Sequence, residues 1–544
     1  MTGKELIFAA IERKKVDRIP WVPFCGVHAG ALINKTATDY LKSADNIVDG
    51  LNEAIKRYRP DGIPVVFDLQ IEAEIFGCEL NWSDDNPPAV TSHPLSDGSA
   101  QLEDLKLPNK NDGRIPIVVE ATKRLRKEHP DLALYGLITG PFTLALHLLG
   151  ADIFMKMFDD PEYVGKVLDF AAEAGKIMSD IFIDAGCDII GVVDPMTSQI
   201  GPDQFKEFCL KPCSKVFEHI TEKGAKGSFF VCGHAQSNIE AMCDCKCESI
   251  SIDENIALDY VKEICLKKDV SFGGNIQLTT VMLLGTPEDN KINAFECMEI
   301  GGFEGFILAP GCDMPYATPP ENVEAIADVV HDPYQLEAAR ELAKQDKALC
   351  PILDMSDYGM ADKVIIDVIT LDSEACAPCQ YMVEAVKAVA PEFGGLLEWR
   401  EHKIKTSEAI TMMSSLYVRN IPTICIDGQI KFVSRIPPRD ELIAAIQHRI
   451  REKFALKIKY HRGKILLLGD DSDAAYKQLK ENVDVAMKEL GNAVDFEEVT
   501  DLKEIKRYGV FKTPAIVTEK YTVKSVGKTV DKAIIKEWIK ALNE

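Results

Sequence analysis

The first 340 or so residues repeat one pattern, in which a short apolar run ends in Gly, Asp, Asn or Cys and an amphipathic helical stretch follows. Most of the runs are continuous rather than alternating, as in parallel strands buried on both faces. Eight such strands alternating with helices predict a (β/α)8 TIM barrel of the α/β class over residues 1–340. A doubly wound open sheet is the alternative, but no G-x-G-x-x-G sequence follows the first strand, which disfavours dinucleotide binding. The predicted strands are Ile19–Phe24, Gly62–Asp68, Leu132–Gly140, Cys187–Pro195, Gly227–His234, Ser249–Asn255, Val270–Ile276 and Phe303–Cys312.

A second pattern starts after a polar linker that we predict at 341–362. Residues 363–453 have the order β-α-β-α-β-β-α of a thioredoxin fold, and this order recurs over 462–544. In the second copy, the position of a redox cysteine pair reads Asp470-Asp-Ser-Asp-Ala-Ala-Tyr476, without a thiol. The sequence therefore predicts two thioredoxin-like domains, of which only the first carries redox cysteines.

Composition restricts the location and the partners of the chain. Its net charge of −24 over 544 residues repels nucleic acid. No window approaches the roughly 20 apolar residues that span a bilayer, and the first residues lack the apolar core of a signal peptide. We therefore expect a cytoplasmic protein without a nucleic-acid or membrane partner. In that reducing compartment, its 16 cysteines favour metal ligation, redox chemistry or burial over structural disulfides.

Polar side chains at the carboxyl ends of barrel strands are the ones placed for chemistry. Cys232 and His234 end strand five, and Cys312 ends strand eight. Two thiols and an imidazole suit zinc, although a cysteine at a strand end is often a small buried hydrophobe. Zinc would hold a substrate thiol as a thiolate, which could attack an electrophilic methyl group. The polar residues at the predicted strand ends are Asp68, Asp194, Cys232, His234, Asp253, Asn275 and Cys312.

Several motifs of the predicted barrel resemble the uroporphyrinogen decarboxylase superfamily, and within it the methylcobamide:thiol methyltransferases of the coenzyme M type. The Phe-Asp-Leu-x-x-Glu-Ala-Glu run is the nearest match to that branch. The stretches that carry the resemblance are Asp17-Arg-Ile-Pro20, Phe67-Asp68-Leu-Gln-Ile-Glu72-Ala-Glu74, Thr139-Gly-Pro-Phe-Thr143, Asp194-Pro195, Cys232-Gly233, Ile252-Asp253-Glu254, Gly274-Asn275-Ile276, and Gly311-Cys312 through Thr318-Pro-Pro-Glu-Asn322.

The resemblance implies transfer of a methyl group from a methyl-corrinoid on a partner protein to a small thiol. It implies that Cys232 and Cys312 are sulfur ligands of zinc, that Asp68 is catalytic, and that Asp194, Asp253 and Asn275 contact the cofactor. One position departs from the family, because its zinc-binding histidine falls on Phe230, which cannot bind a metal. His234 is the nearest replacement, and the other candidate ligands are Asp68, Glu72, Glu74 and His147.

Uroporphyrinogen decarboxylation is the alternative within the superfamily. The decarboxylases carry an Arg-Gln-Ala-Gly-Arg run after the first strand, whose arginines pair with substrate carboxylates. This chain has Cys25-Gly-Val-His-Ala-Gly30 there, and the decarboxylase Tyr and late His fall on His147 and Cys312. These differences favour the methyltransferase.

Cys376-Ala-Pro-Cys379 follows a predicted strand and begins a predicted helix, the context in which C-x-x-C is a redox motif. The helix N-terminus should stabilise a thiolate on Cys376, so that Cys376 attacks and Cys379 resolves. The domain resembles thioredoxins and glutaredoxins, which implies that Pro422 is the cis-proline of that fold. A partner of the thioredoxin type is therefore expected.

Two further functions remain open at this point. The chain could be a thiol-disulfide oxidoreductase that uses the barrel for binding, or the barrel could be a non-catalytic corrinoid-binding partner. Cys243, Cys245 and Cys247 could bind a soft metal or exchange disulfides, or they could pack under strand six. For Cys209 and Cys213, four residues apart, burial is expected.

Overall fold

Seven parallel strands form a single sheet, and they follow each other across the sheet in chain order. Each strand is paired in parallel with the next, and helices connect them, which confirms the predicted (β/α)8 barrel architecture of the α/β class. The carboxyl ends of all seven strands therefore lie at the same end of the sheet. The strands are β1 Gly62–Pro64, β2 Ala133–Thr139, β3 Ile189–Val193, β4 Lys226–Val231, β5 Ser249–Ile252, β6 Ser271–Ile276 and β7 Phe306–Pro310.

The computed structural model describes residues 1–344, 358, 363–374, 376–418, 420–459, 463–491, 494–510, 512–518 and 522–542. The chain divides into two compact units. The first comprises Met1–Ala348 and Asp372–Gln380, and the second comprises Leu349–Leu371 and Tyr381–Glu544. Most of the linker predicted at 341–362 lies outside the described residues.

The predicted first strand, Ile19–Phe24, forms only a single parallel bridge, between Trp21 and Leu308 of β7. Pro20 and Pro23 lack the N–H groups that a regular strand would donate. The remaining groups are still used: the Val22 N–H donates to the Leu308 carbonyl at 3.0 Å, and the Trp21 carbonyl accepts from the Asp61 N–H at 2.9 Å. The segment thus links β7 to the residue before β1, so it takes the place of an eighth strand.

Apolar side chains fill the interior of the sheet. Phe230, next to last in β4, is buried in this core, and its ring centroid lies 4.9 Å from that of Phe24. Phe67, Leu137 and Ile307 belong to the same cluster. The phenylalanine at the family's histidine position is therefore part of the barrel core.

The helices of the first unit surround this sheet and connect its strands. Among the described residues, no single helix is long and apolar enough to cross a membrane, although Pro141–Leu149 and Asp152–Asp159 meet that test as a pair bent by 101°. The α-helices before the thioredoxin-like region are Gly3–Ile11, His28–Leu32, Ala37–Leu41, Ala44–Tyr58, Ile71–Ile75, Ile115–Glu128, Pro141–Leu149, Asp152–Asp159, Pro161–Ala185, Pro202–Gln204, Leu210–Glu222, Ile239–Cys243, Leu258–Lys267, Pro287–Gly301, Pro320–His331 and Pro333–Ala343.

Two four-stranded sheets follow, and both have the same mixed pairing. In each sheet the first strand pairs in parallel with the second and antiparallel with the third, which pairs with the fourth. This repetition confirms the thioredoxin-like fold class of the C-terminal region. The strands are β8 Val364–Thr370, β9 Leu397–Lys403, β10 Thr423–Ile426 and β11 Gln429–Val433 in one sheet, and β12 Lys464–Leu468, β13 Asp495–Val499, β14 Ala515–Thr518 and β15 Thr522–Val526 in the other.

Each sheet is accompanied by α-helices and has a buried apolar cluster. The Ile421–Pro422 and Thr513–Pro514 peptide bonds, which precede β10 and β14, are both cis. The α-helices of this region are Ala377–Val389, Ser407–Ser415, Arg439–Lys459, Ala474–Glu489, Leu502–Arg507 and Lys532–Ala541.

Asp61 is a buried carboxylate that binds the segment Ile19–Phe24 and the neighbouring Arg18. It accepts from the Trp21 N–H at 2.9 Å and from both terminal nitrogens of Arg18, at 2.6 and 2.7 Å.

We predict that Asp61→Ala lowers the free energy of unfolding of the barrel by about 2–4 kcal/mol, because it leaves the partly buried Arg18 guanidinium unpaired. Hydrogen exchange of the peptides that contain residues 18–22 and 306–310 should speed up accordingly. Asp45→Ala is the matched control, since Asp45 pairs with Arg124 while 80% exposed, and an equal effect there would contradict the prediction.

Candidate active site at the mouth of the barrel

Two thiols meet at the carboxyl ends of β4 and β7. Cys232 follows β4 directly and Cys312 lies two residues beyond β7, and their sulfurs are 2.8 Å apart. Both side chains are half-buried. The hydrogen bond between the thiols, together with burial, raises the pKa of Cys232 well above its ordinary value. The structure thus brings together two of the three predicted metal ligands, from positions 80 residues apart.

Asp253 holds the turn that follows Cys232. Gly233 has φ +84°, a conformation that favours glycine, and its N–H donates to the Asp253 carboxylate at 2.7 Å. The same carboxylate accepts from the backbone and side-chain amides of Asn255, and burial raises its pKa to about 6. Asn275 supports the loop from the other side, because its amide donates to the Ile256 carbonyl at 2.9 Å. Asp253 and Asn275 thus build the site, and their predicted contact with a cofactor stays a prediction.

Glu254 is a buried carboxyl group at the barrel mouth that could not be recognised as a site residue from the sequence. One of its oxygens accepts from the Leu278 N–H at 3.1 Å. Its other oxygen, Oε2, is buried and has no hydrogen-bond partner among the described residues. Oε2 lies against Gly311, where an added Cβ would approach it to 2.4 Å. Burial, reinforced by the charge of Asp253, raises the pKa of Glu254 to about 8.

The third predicted zinc ligand does not join the two thiols. His234 is exposed, beyond the turn at Gly233, and no group of three or more potential metal-binding side chains exists within the described part of the chain. Two cysteines bound to one zinc at about 2.3 Å each would lie about 3.8 Å apart in a tetrahedral site, farther than the 2.8 Å found here. The residues present therefore do not fit a catalytic zinc with three protein ligands. A metal site formed by Cys232, His234 and Cys312 therefore stays a prediction, which this geometry does not favour.

The other candidate ligands do not join the two thiols in a metal-binding group within the described residues. His147 is buried in an apolar helix, and burial lowers its pKa to about 3. Glu74 accepts from Arg114 at 2.7 Å. Asp68 is buried and paired with the same guanidinium, while it also accepts from the Gln70 N–H at 2.9 Å.

Arg114 is a residue of this site that sequence analysis missed. Its guanidinium joins Asp68 and Glu74 and lies 4.9 Å from the ring centroid of Trp82. Its Nη2 is buried and lacks a hydrogen-bond partner among the residues that the structure describes. Asp68, predicted to be catalytic, is therefore held as one member of a buried ion pair. This pairing could not be predicted from the sequence, because Arg114 lies 46 residues from Asp68, immediately before a helix.

Asp194 has a structural role rather than an exposed position at the mouth. It accepts from the N–H groups of Phe142 and Thr143, at 3.0 and 2.8 Å, and from the Thr143 hydroxyl at 2.6 Å. It thereby stabilises the first turn of Pro141–Leu149, a helix terminus that favours negative charge. Burial raises the pKa of Asp194 to about 6. These bonds occupy both carboxylate oxygens, so the structure does not favour Asp194 as a cofactor-binding group.

The cysteines that follow Asp194 along the barrel sequence, apart from Cys232 and Cys312, pack in the interior of the barrel. Cys243 lies 3.8 Å from Cys265, and Cys245 and Cys247 each donate to a backbone carbonyl within the same turn of chain. Cys209 and Cys213 are fully buried, as expected. These cysteines therefore pack in the interior as small hydrophobic side chains.

Cys376 and Cys379 lie at the start of the helix Ala377–Val389. Cys376 is half-buried and Cys379 is buried. The hydrogen bond with Cys379 and burial raise the pKa of Cys376, in contrast to the lowered value expected at a helix N-terminus. Pro422 has the predicted cis bond, and its carbonyl accepts from the Ser434 N–H at 2.8 Å.

The fold and the motifs at the barrel mouth define a class of barrel proteins. The chain belongs to the uroporphyrinogen decarboxylase (URO-D) family, whose family model matches residues 2–333. A thioredoxin domain model matches residues 365–447 and 473–540. Both resemblances that the sequence suggested are thereby confirmed.

Methyltransferases are prominent among its similar proteins. The chain is 30% identical over 336 residues to the methylcobamide:CoM methyltransferase MtaA of Methanosarcina barkeri (strain Fusaro / DSM 804), covering 60% of this chain and 96% of that protein. It is 27% identical to the methylcobamide:CoM methyltransferase MtbA of Methanosarcina acetivorans, covering 60% and 97%. A solved methyltransferase from Methanosarcina mazei matches with a TM-score of 0.56 and 26% identity, over 63% of this chain and 98% of the other. The uroporphyrinogen decarboxylase of Trichodesmium erythraeum is 24% identical, over 49% and 76%.

Glu72 provides a test of how the buried carboxyls of the barrel are protonated. Its carboxylate accepts from the Thr139 N–H at 2.9 Å, and burial raises its pKa to about 7. The Thr139 hydroxyl lies within hydrogen-bond distance of both the Leu69 carbonyl and Glu72. One hydroxyl proton serves only one of them, so a protonated Glu72 can donate the second bond.

We predict that Glu72→Gln removes a pH-dependent loss of stability. A raised carboxyl pKa favours folding at low pH, and this contribution is lost as the pH rises from about 4.5 to about 7. Glutamine keeps a hydrogen-bond donor at this position and does not ionise. The free energy of unfolding of the variant should therefore exceed that of the wild type by about 1–3 kcal/mol at pH 8 but not at pH 4.5. Urea unfolding at both pH values measures this. Glu120→Gln, at an exposed carboxylate, should show no such difference, and an unchanged pH dependence in Glu72→Gln would contradict the assignment.

Proposed function

We propose that the barrel transfers a methyl group from a methyl-corrinoid protein to a small thiol. The observation that carries the proposal is the likeness to methylcobamide:CoM methyltransferases over 96–97% of their length. The likeness includes the strand ends at which Cys232, Asp253 and Cys312 lie. The described residues do not supply the third protein ligand of a catalytic zinc.

Uroporphyrinogen decarboxylation is less well supported by the site. The segment Cys25-Gly-Val-His-Ala-Gly30 stands where the decarboxylases carry two arginines. Its His28 is buried, lies 2.7 Å from the Tyr58 hydroxyl and has its pKa lowered to about 4 by burial. A neutral, engaged imidazole cannot replace cationic side chains for a substrate with many carboxylates.

The acceptor thiol must lose its proton before it attacks, because the thiolate is the nucleophile. Glu254 is suited to receive this proton, since Oε2 is free of partners among the described residues and its pKa is raised to about 8. That value lies near the ordinary thiol pKa of about 8.5, which favours proton transfer in either direction. The sulfur then forms a bond to the methyl carbon, and the corrinoid keeps the electron pair of the broken carbon–cobalt bond.

The surrounding residues would fix the geometry of this step. Asp253 holds Gly233 and therefore the turn beside Cys232. Gly311 leaves room for Glu254 next to Cys312, because any side chain there would collide with the carboxylate. The buried pair of Asp68 and Arg114 keeps charge at the mouth without exposing it to water.

A second activity is supported by the C-terminal region. Cys376 and Cys379, at the start of a helix in a thioredoxin-type sequence, are proposed to perform thiol-disulfide exchange. Cys376 would attack and Cys379 would resolve the mixed disulfide. The copy at 462–544 carries no cysteine and would serve as a binding or scaffolding domain.

The proton-acceptor role of Glu254 predicts a pH dependence of methyl transfer. With methylcobalamin as donor and an excess of 2-mercaptoethanesulfonate, the wild-type rate should rise with pH to a plateau above about pH 8, as Glu254 ionises. Glu254→Gln should lower the rate about 100-fold at pH 8 and lose this ionisation. Glu263→Gln, on the exposed face of the helix Leu258–Lys267, is the matched control and should retain the wild-type profile. An unchanged profile in Glu254→Gln would contradict the role, and no transfer by the wild type to any small thiol would contradict the proposed function.

A further inference from the structure

The two thiols at the mouth of the barrel have the geometry of a dithiol pair. Their sulfurs are in direct contact at 2.8 Å, and no third metal-binding side chain joins them within the described part of the chain. The residue that would supply a histidine ligand, Phe230, is instead fixed in the barrel core by Phe24. A pair of half-buried cysteines in contact at the mouth of the barrel can be oxidised to a disulfide and reduced again.

A second thiol pair belongs to the same compact unit. The segment Asp372–Gln380, which carries Cys376 and Cys379, groups with Met1–Ala348. Within that unit, the Gln380 side-chain amide donates to the Val90 carbonyl at 2.9 Å. Cys376 is also near enough to Cys232 for its charge to raise the pKa of the Cys232 thiol, and Asp253 acts on both. All four sulfurs thus lie in one unit.

We infer that Cys232 and Cys312 form a reversible disulfide by exchange with the Cys376–Cys379 pair of the same chain. The inference rests on the proposed exchange activity of Cys376 and Cys379, and it names the dithiol on which that activity acts. It does not depend on methyl transfer.

The exchange is balanced without any further reactant. With the Cys376–Cys379 disulfide present, the Cys232 thiolate attacks the Cys376 sulfur and Cys379 leaves as a thiolate. Cys312 then attacks the Cys232 sulfur and displaces Cys376. Two barrel thiols are oxidised, the disulfide is reduced by two electrons, and the two protons released by the barrel thiols return to Cys376 and Cys379. The reverse sequence reduces the barrel pair.

The mixed disulfide can be trapped by removing the resolving thiol of each pair. The full-length Cys312→Ser/Cys379→Ser variant is prepared reduced, oxidised with one equivalent of diamide, quenched in acid and alkylated. Peptide mass spectrometry should find a Cys232–Cys376 disulfide in more than half of the monomers. Its rate of formation should not depend on protein concentration, because both thiols belong to one chain.

Two control variants test whether the disulfide requires Cys232 and the removal of Cys312. Adding Cys232→Ser should remove the Cys376 link, whereas Cys187→Ser/Cys379→Ser, which removes a buried cysteine of the same barrel, should form the Cys232–Cys312 disulfide instead. Recovery of Cys232 in alkylated form, or only in links between two chains, would overturn the inference. Circular dichroism verifies that each variant is folded.

A separate assay distinguishes this failure from failure of the exchange activity. Reduction of lipoamide disulfide by the reduced wild type, and its loss in Cys376→Ser, reports whether the C-x-x-C pair is competent. Activity with lipoamide but no Cys232–Cys376 link would overturn the inference and leave the proposed exchange activity standing. No activity with lipoamide together with no Cys232–Cys376 link would contradict both.

Discussion

The in-order parallel pairing of the barrel strands is the constraint on which the site depends. It places the carboxyl ends of β4, β5 and β7 at the same end of the sheet, where Cys232 contacts Cys312 and Glu254 lies against Gly311, although these residues are far apart in the chain. The segment around Trp21 links β7 to the start of β1 and so completes the arrangement. A loss of that link would allow the ends of the sheet to separate, and the positions of the mouth residues would no longer be fixed.

The barrel buries carboxyl groups that water would otherwise solvate. Glu72, Asp194, Asp253 and Glu254 all have raised pKa values, and burial is the principal cause in each case. Backbone N–H donors offset part of this cost at Asp194 and Asp253, which therefore act as structural supports. Glu254 retains an oxygen without a partner among the described residues, and this is what distinguishes a group available for chemistry from one used in folding.

Much of the architecture could be predicted from the sequence, because continuous apolar runs and restarting strand patterns are local signals. The predicted strands Ser249–Asn255 and Val270–Ile276 contain the observed strands Ser249–Ile252 and Ser271–Ile276. The segment Ile19–Phe24 was predicted as a full strand because most of its residues are apolar. It forms only a single bridge, since two of its residues are prolines, which cannot donate backbone hydrogen bonds. At the site, proximity of Cys232 and Cys312 followed from strand order, but the exposure of His234 and the pairing of Asp68 with Arg114 depend on loop geometry and tertiary contacts. No repeating pattern in the sequence indicates the exposure of His234 or the pairing of Asp68 with Arg114.

The central claim is that the barrel mouth of this URO-D protein holds a thiol pair beside a carboxyl group, in place of a three-ligand zinc site. Zinc content per chain tests it most directly, measured on protein purified under anaerobic, reducing conditions, with Cys312→Ser beside the wild type. The account predicts well under one zinc per chain in the wild type and no change in Cys312→Ser. About one zinc per chain in the wild type, lost in Cys312→Ser, would contradict it.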